Sequence, residues 1–203
     1  MGERLHRVER AAPEHAGALA DLLGSSGYGC FCRYWHFQGD HRQWLARCAH
    51  APEDNRGELL AACTAGSPEA RGMVAFDAAG ALIGWLKLAP APIMGKLYGQ
   101  RLYKGLPCFR DRDPAGVVTV GCLYVREDSR RRGVARALLA GAIDAARTDG
   151  AAALEAFPRS DTDVADAALM LGPLKLFLDA GFGIVHDFGP YPVLRRELRA
   201  ESA

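Results

Sequence analysis

Residues 117–136, VVTVGCLYVREDSRRRGVAR, decide the reading of this chain. Val117 to Val125 is rich in β-branched side chains and reads as a strand. Glu127-Asp128-Ser129 then turns the chain, three arginines follow, and Gly133-Val134-Ala135 opens a helix. The first turn of a helix has N–H groups without intrahelical partners and carries the positive end of the helix dipole, so it is a ready anion site. Gly133 has no Cβ to keep a phosphate away from the backbone. Arg130, Arg131, Arg132 and Arg136 add charge, and guanidinium suits phosphate oxygens. Three arginines alone would read as a solvated surface. Strand, turn, glycine and small-faced helix in that order favour a pyrophosphate seat instead.

Working outward, the helix expected over 133–149 presents Val134, Ala137, Leu138, Gly141, Ala142 and Ala145 as one small apolar face. Downstream, 151–157 reads as a strand and 171–180 as a helix capped by Gly181. Residues 182–188 and 191–198 read as a closing hairpin around Gly189-Pro190. Upstream, strands over 72–77 and 81–89 are joined by the short loop Asp77-Ala78-Ala79-Gly80. Residues 90–115 carry four prolines and read as a long excursion, which in a compact domain points to function or mobility. Nearer the N-terminus, 3–10 reads as a first strand. Pro13 starts a helix that carries Ala18, Leu19, Leu22 and Leu23 and ends at Gly24. Residues 25–39 are rich in glycine and aromatics, and 40–65 read as helix divided near Pro52. Strands come first in hairpins and later alternate with helices, which predicts a mixed α/β sheet.

The 203 residues fit one domain, 1–203, long enough to bury a real core. Charged residues make up 24% and the formal net charge is +1, which gives no case for nucleic acid or an anionic membrane as the main partner. No stretch approaches the ~20 apolar residues of a membrane span. Met1 to Glu9 is charged and unlike a secretory signal, so cytoplasmic residence is expected. The six cysteines are then expected as thiols.

Two segments carry a family resemblance. Arg130-Arg131-Arg132-Gly133-Val134-Ala135 resembles the GNAT acyltransferase signature Arg/Gln-x-x-Gly-x-Gly/Ala. Leu174-Lys175-Leu176-Phe177-Leu178-Asp179-Ala180-Gly181-Phe182 resembles the late helix of that family, which ends in Gly-Phe. The likeness covers about residues 70–198. Cys30-Phe31-Cys32-Arg33-Tyr34-Trp35 and Pro192 to Leu198 resemble a subgroup of the same family. The resemblance implies a GNAT-like α/β fold, a central mixed sheet of about six to seven strands flanked by helices. It implies transfer of acetyl from acetyl-CoA to a primary amine by direct attack. The coenzyme's pyrophosphate would lie on the amides of Arg131 to Arg136, and its pantetheine arm along Leu123, Tyr124 and Val125. A backbone N–H near Leu123 would stabilise the oxyanion.

The match is incomplete at the catalytic positions. Phe177 stands where many members carry a tyrosine acid; it is expected beside the cofactor but donates no proton. Glu155, on the strand after the pyrophosphate helix, is the first candidate base, the alternative being a solvent-facing strand residue. A carboxylate there would need burial to raise its pKa. Tyr124 is a catalytic candidate or a packed aromatic, Glu127 a turn residue, and Cys122 a core residue without visible activation. Cys30 and Cys32, with His36, His41 or Cys48 nearby, hint at a metal, but one intervening residue is poor zinc spacing. Phe31, Tyr34, Trp35 and Phe37 are expected to pack a loop beside the acceptor, with 25–65 and 90–115 shaping its choice. The acceptor is a small-molecule or peptide amine, and the closing hairpin offers an edge for a homodimer. The other readings are a non-catalytic acyl-CoA-binding module and a metal or redox module at Cys30 and Cys32.

Overall fold

The computed structural model describes residues 7–110, 112–160 and 171–198. Its strands are β1 (Arg7–Arg10), β2 (Gly72–Phe76), β3 (Leu82–Pro90), β4 (Val117–Val125), β5 (Ala153–Ala156), β6 (Gly183–His186) and β7 (Val193–Glu197). They form one seven-stranded sheet in the order β1-β2-β3-β4-β5-β7-β6. The β4–β5 pair is parallel and the other neighbouring pairs are antiparallel. The helices are α1 (Ala16–Gly24), α2 (His41–His50), α3 (Pro52–Thr64), α4 (Gly95–Tyr98), α5 (Pro107–Arg110), α6 (Val134–Thr148) and α7 (Leu174–Asp179). The fold is the mixed α/β sheet flanked by helices that the sequence pattern implies. The first strand covers 7–10 of the expected 3–10, and residues 3–6 lie outside the described residues.

Local chemistry sets several boundaries. Asp40 accepts from the Gln43 backbone N–H at 2.8 Å, and Gln43 returns its side-chain oxygen to the Asp40 N–H at 2.9 Å. This reciprocal capping box starts α2. Ala51 leaves helical geometry at φ −145°, and Pro52 restarts the helix as α3, where its missing N–H costs nothing. Helix α7 begins only at Leu174 because Gly172 has φ +84° and Pro173 is extended.

The two sheet faces differ in character. One is covered by α6 through Val134, Leu138, Leu139, Ala142, Ile143, Ala145 and Ala146. These pack on Met73, Ala75, Leu86, Leu88, Val120, Leu123, Leu154 and Leu194. Ala137 and Gly141, expected in that face, are only partly buried, and Leu139, Ile143 and Ala146 take their place. The helix start lies close to the sheet because Gly84 faces it. A Cβ there would fall 2.9 Å from Val134 Cγ1 and 3.0 Å from Leu138 Cδ1.

The other face carries α1, α3 and residues 90–116. That excursion is a series of short helical turns rather than an open loop. Tyr98, Tyr103 and Phe109 gather their rings around Phe157 at centroid distances of 4.9–6.2 Å. Lys96 donates to the Phe37 and Gly39 carbonyls and lies over the Tyr34 and Phe37 rings, tying the excursion to the 25–39 loop. No helix among the described residues is long and apolar enough to cross a membrane.

Candidate functional site

The site begins where two parallel strands part. Strand β4 pairs with β5 only from Val117 to Thr119, opposite Ala153 to Glu155. From Val120 to Val125 that edge of β4 has no strand partner among the described residues. An unpaired strand edge offers alternating N–H and C=O groups to any extended ligand. The other edge is held by β3, with a bulge: Lys87 pairs Cys122 and Leu88 pairs Val120, so Gly121 is the extra residue. Bulges bend a strand and re-aim its groups, often beside active sites. This one is held by Trp35, whose indole N–H donates to the Gly121 carbonyl at 2.7 Å.

The open edge runs directly into the arginine turn. Arg130 donates from Nε to the Val125 carbonyl at 3.1 Å and clasps the end of β4. Arg131 sits at φ +62° and Gly133 at φ +84°. Left-handed residues interspersed in a turn make successive N–H groups converge into an anion-binding concavity, here at the N-terminus of α6. A Cβ on Gly133 would meet nothing within 4 Å, so glycine is required by its backbone angle, and the space above it is open.

Edge and turn together line one cleft of about 590 Å³. It is walled by Leu123, Tyr124, Val125, Arg130, Arg131, Gly133, Val134, Ala135 and Arg136, all expected from sequence. Arg132 and Phe177 are not among its lining residues. Arg132 is exposed and sits near Asp128. Phe177 is fully buried against Phe182, with ring centroids 5.4 Å apart, so the residue at the tyrosine position is core rather than cofactor wall. Pro173, Lys175, Leu176 and Asp179 of the α7 segment form part of the wall instead, with Lys175 and Asp179 paired at 2.8 Å.

The opposite wall was not legible in the sequence. It is built by Leu23, Ser26, Tyr28, Cys30 and Cys122. Behind it lies a polar cluster. Cys122 and the buried Cys32 pack in one cluster, where each thiol shifts the other. The Trp85 indole N–H points at Cys32 Sγ at 3.4 Å. Lys87, 1% exposed, sits opposite Cys122 and donates to the Glu69 carbonyl. Cys122, then the charge of Lys87, the Trp85 N–H and Arg33, pull the Cys32 thiol below the ordinary thiol range. Its partner Cys122 is pushed well above, first by Cys32 and then by burial. Burial pushes Cys30 up to about 11. The cue for this cluster was a lysine in the middle of an apolar strand, Leu82 to Pro90. Among the described residues no three His, Cys, Asp or Glu side chains converge to hold a metal.

Glu155 is not the solvent-facing residue of the alternative reading, nor does it line the cleft. It is fully buried. Arg195 donates to its Oε1 from Nη2 at 2.7 Å and from Nε at 3.1 Å, while Arg112 Nε lies 3.2 Å from the same oxygen. The Tyr98 hydroxyl, in contact with Thr119 Oγ1 at 2.7 Å, donates to Oε2 at 2.6 Å. Burial and then this carboxylate push the Tyr98 hydroxyl's pKa far up. Both oxygens of Glu155 are thus engaged by groups that bind the excursion and β7 to β5. Tyr124 does line the cleft, half-buried against the α1 side. Glu127 stays in the turn after β4, as expected.

Comparison with known proteins places this geometry. The chain superposes on a GCN5-related N-acetyltransferase from Kribbella flavida with a TM-score of 0.56 at 21% identity, covering 95% of this chain and 98% of that one. The yncA protein of Salmonella typhimurium, solved with its cofactor acetyl-CoA, matches at 0.53 and 16% identity over 98% of each chain. The PaiA N-acetyltransferase of Thermoplasma acidophilum, in complex with coenzyme A, matches at 0.53 and 11% identity, over 96% and 99%. No curated protein matches the sequence. The sequence model of the acetyltransferase (GNAT) family matches residues 31–170, which span the arginine turn and the parted strands, and the chain belongs to that family.

Proposed function

We propose that this protein transfers acetyl from acetyl-CoA to a primary amine by direct attack. The observation that carries the reading is the continuity of the cleft: an unpaired edge of β4 leads without interruption into the amide concavity at the start of α6. An extended arm with amide groups fits the first, and a pyrophosphate fits the second. Solved neighbours that hold coenzyme A or acetyl-CoA, and membership in an acetyltransferase family, support the same donor. Arg131 and Arg136 would face the phosphates, while Leu123 to Val125 would align the arm and offer an N–H to the developing oxyanion. Tyr124 would border the reacting end. Glu155 serves as an anchor of the acceptor side rather than as a base, since both its oxygens are committed. The loop over 25–39 and the excursion over 90–115, joined by Lys96, would bound the acceptor.

Calorimetric titration of acetyl-CoA tests this. The wild type is expected to bind in the micromolar range. An Arg131→Glu, Gly133→Asp double variant should bind about 100-fold more weakly, because losing charge-assisted contacts of about 1.5–3 kcal/mol each costs at least that. Equal binding by a folded double variant would remove the cofactor from this turn. Turnover against a panel of primary amines then separates an enzyme from a module that only binds acyl-CoA.

A further inference from the structure

The acetyl-transfer reading leaves one chemical step without a residue. An amine arrives as an ammonium and must lose a proton before it can attack. Among the described residues lining the cleft, Asp179 is the one carboxylate, and it is paired with Lys175 beside the arginine turn. Glu155 lies outside the cleft with both oxygens occupied. The remaining titratable groups on the acceptor wall are Tyr28, Cys30, Cys122 and Tyr124.

Of these, Cys30 and Cys122 both face the buried Cys32, and Cys122 does so from the sheet, paired with Lys87 of the neighbouring strand. Cys32 touches Cys122 from behind, and the Trp85 N–H faces the Cys32 sulfur. Lys87 brings its amino group into the same fully buried pocket, where burial disfavours its charge and a Cys32 thiolate favours it. Its hydrogen-bond acceptor is a neutral carbonyl, that of Glu69. A buried cation is costly unless an anion lies near, and the carboxylate of Glu69 is turned to Arg33 at 2.6 Å. Among the groups that favour the charged form of Lys87, Cys32 comes first, ahead of Cys122 and Glu69. Its loop is wound to hold it there: Phe31 and Cys32 both occupy left-handed geometry, at φ 42° and 59°. For residues with a Cβ, that geometry is strained and persists only where the surroundings enforce it. The groups facing Cys32 are Cys122 on β4, Lys87 on β3, Cys63 on α3, and Arg33 and Cys30 in its own loop. Glu69, His36 and Glu58 surround Lys87 and Arg33.

We propose, resting on the acetyl-transfer reading, that the Cys122–Cys32 pair is the proton acceptor for the incoming amine. Cys122 Sγ takes a proton from the ammonium as its own proton passes to the Cys32 thiolate. The neutral nitrogen attacks the thioester carbonyl, the C–S bond breaks, and the second nitrogen proton goes to the departing coenzyme A thiolate. The proton on Cys32 returns to water through Cys122 once the product has left. Lys87 takes part twice: it stabilises the thiolate and, by repulsion, favours the neutral form of an amine at Cys122. Cys122 is the catalytic residue here; Cys32 and Lys87 act through it.

Two measurements on the full chain decide the matter. The first is thiolate absorbance near 240 nm against pH, with no acceptor present. A thiolate should titrate well below the ~8.5 of a free cysteine. It should vanish in Cys32→Ala and move to higher pH in Lys87→Met. No thiolate at neutral pH overturns the proposal. The second is transfer from acetyl-CoA to the best primary amine of the panel. Cys122→Ala and Cys32→Ala should each lower kcat/KM about 100-fold, the scale of a general base. Cys122→Ser, which keeps a relay, should recover part of the rate, and Cys32→Ala should bind acetyl-CoA as tightly as the wild type. Alanine variants that transfer at the wild-type rate overturn the base and leave the enzyme standing. A wild type that binds acetyl-CoA and acetylates no amine overturns both.

Discussion

The two faces of the sheet solve opposite problems. The α6 face is apolar throughout: small and branched side chains of the helix seat on Met73, Leu86, Leu123 and Leu154. The opposite face buries Lys87, Thr119 and Glu155 from the strands and Arg33 and Asn55 from the elements above them. The first is held by non-directional area, at about 25 cal/mol per Å² of apolar surface. The second adds directional pairs to its own apolar clusters, and each pair is costly if half is removed. A fold can place a cofactor seat on the rigid apolar side and still vary the acceptor side, because the polar pairs there are made by loops and excursions.

The largest effect should come from breaking the directional face. Glu155→Ala takes the buried carboxylate from Arg195, Arg112 and Tyr98, and should cost about 3–5 kcal/mol in urea unfolding. The same variant sharpens the catalytic assignment. If Glu155 were the base, Glu155→Gln would keep most of the stability and lose about 100-fold in rate. As an anchor it should do the reverse, with the folded fraction turning over within a few-fold of the wild type.

On the apolar face the vulnerable point is shape. Gly84→Ala drives a methyl into Val134 and Leu138. Overpacking of this kind costs about 1–3 kcal/mol, and it should also tilt the N-terminus of α6 and weaken acetyl-CoA binding severalfold. A Gly84→Ala protein with wild-type stability and affinity would mean that α6 has slack. The smallest effect should be at the rim of that face. Arg10 grips Asp149 with two hydrogen bonds of 2.8 and 2.9 Å and holds its carboxyl below the ordinary range. A depressed acid stabilises above its unfolded pKa of about 3.9, and that gain is lost as pH falls through the lower folded value. Asp149→Asn should therefore lower Tm at pH 7 and have little effect near pH 2. The pair is half-exposed, so the difference should stay under about 1 kcal/mol.

Legibility followed the same division. Helix α6, the hairpin of β2 and β3, the break at Pro52 and the arginine turn each depend on residues within a few positions of one another, so periodicity, turn chemistry and capping expose them. The face of α6 was misread at Ala137 and Gly141, because residues along the border of a helical stripe are sorted by the neighbouring sheet. Phe177 was placed beside the cofactor by a family position, yet it turns inward under Gly172 and against Phe182. Glu155 read as a candidate base or a solvent-facing strand residue; it is buried, and its partners come from Tyr98, Arg112 and Arg195, all distant in sequence.

The sequence by itself determined the order of the main elements, the arginine and glycine turn that opens α6 and the family, because each is written in local spacing and residue type. Only the tertiary structure decided that β4 and β5 part after Thr119, that Glu155 is locked by arginines, and that Cys32, Cys122, Trp85 and Lys87 meet behind the cleft. Strand separation and buried polar pairing are set by contacts across tens of residues, and no local pattern records which partner a buried charge will find.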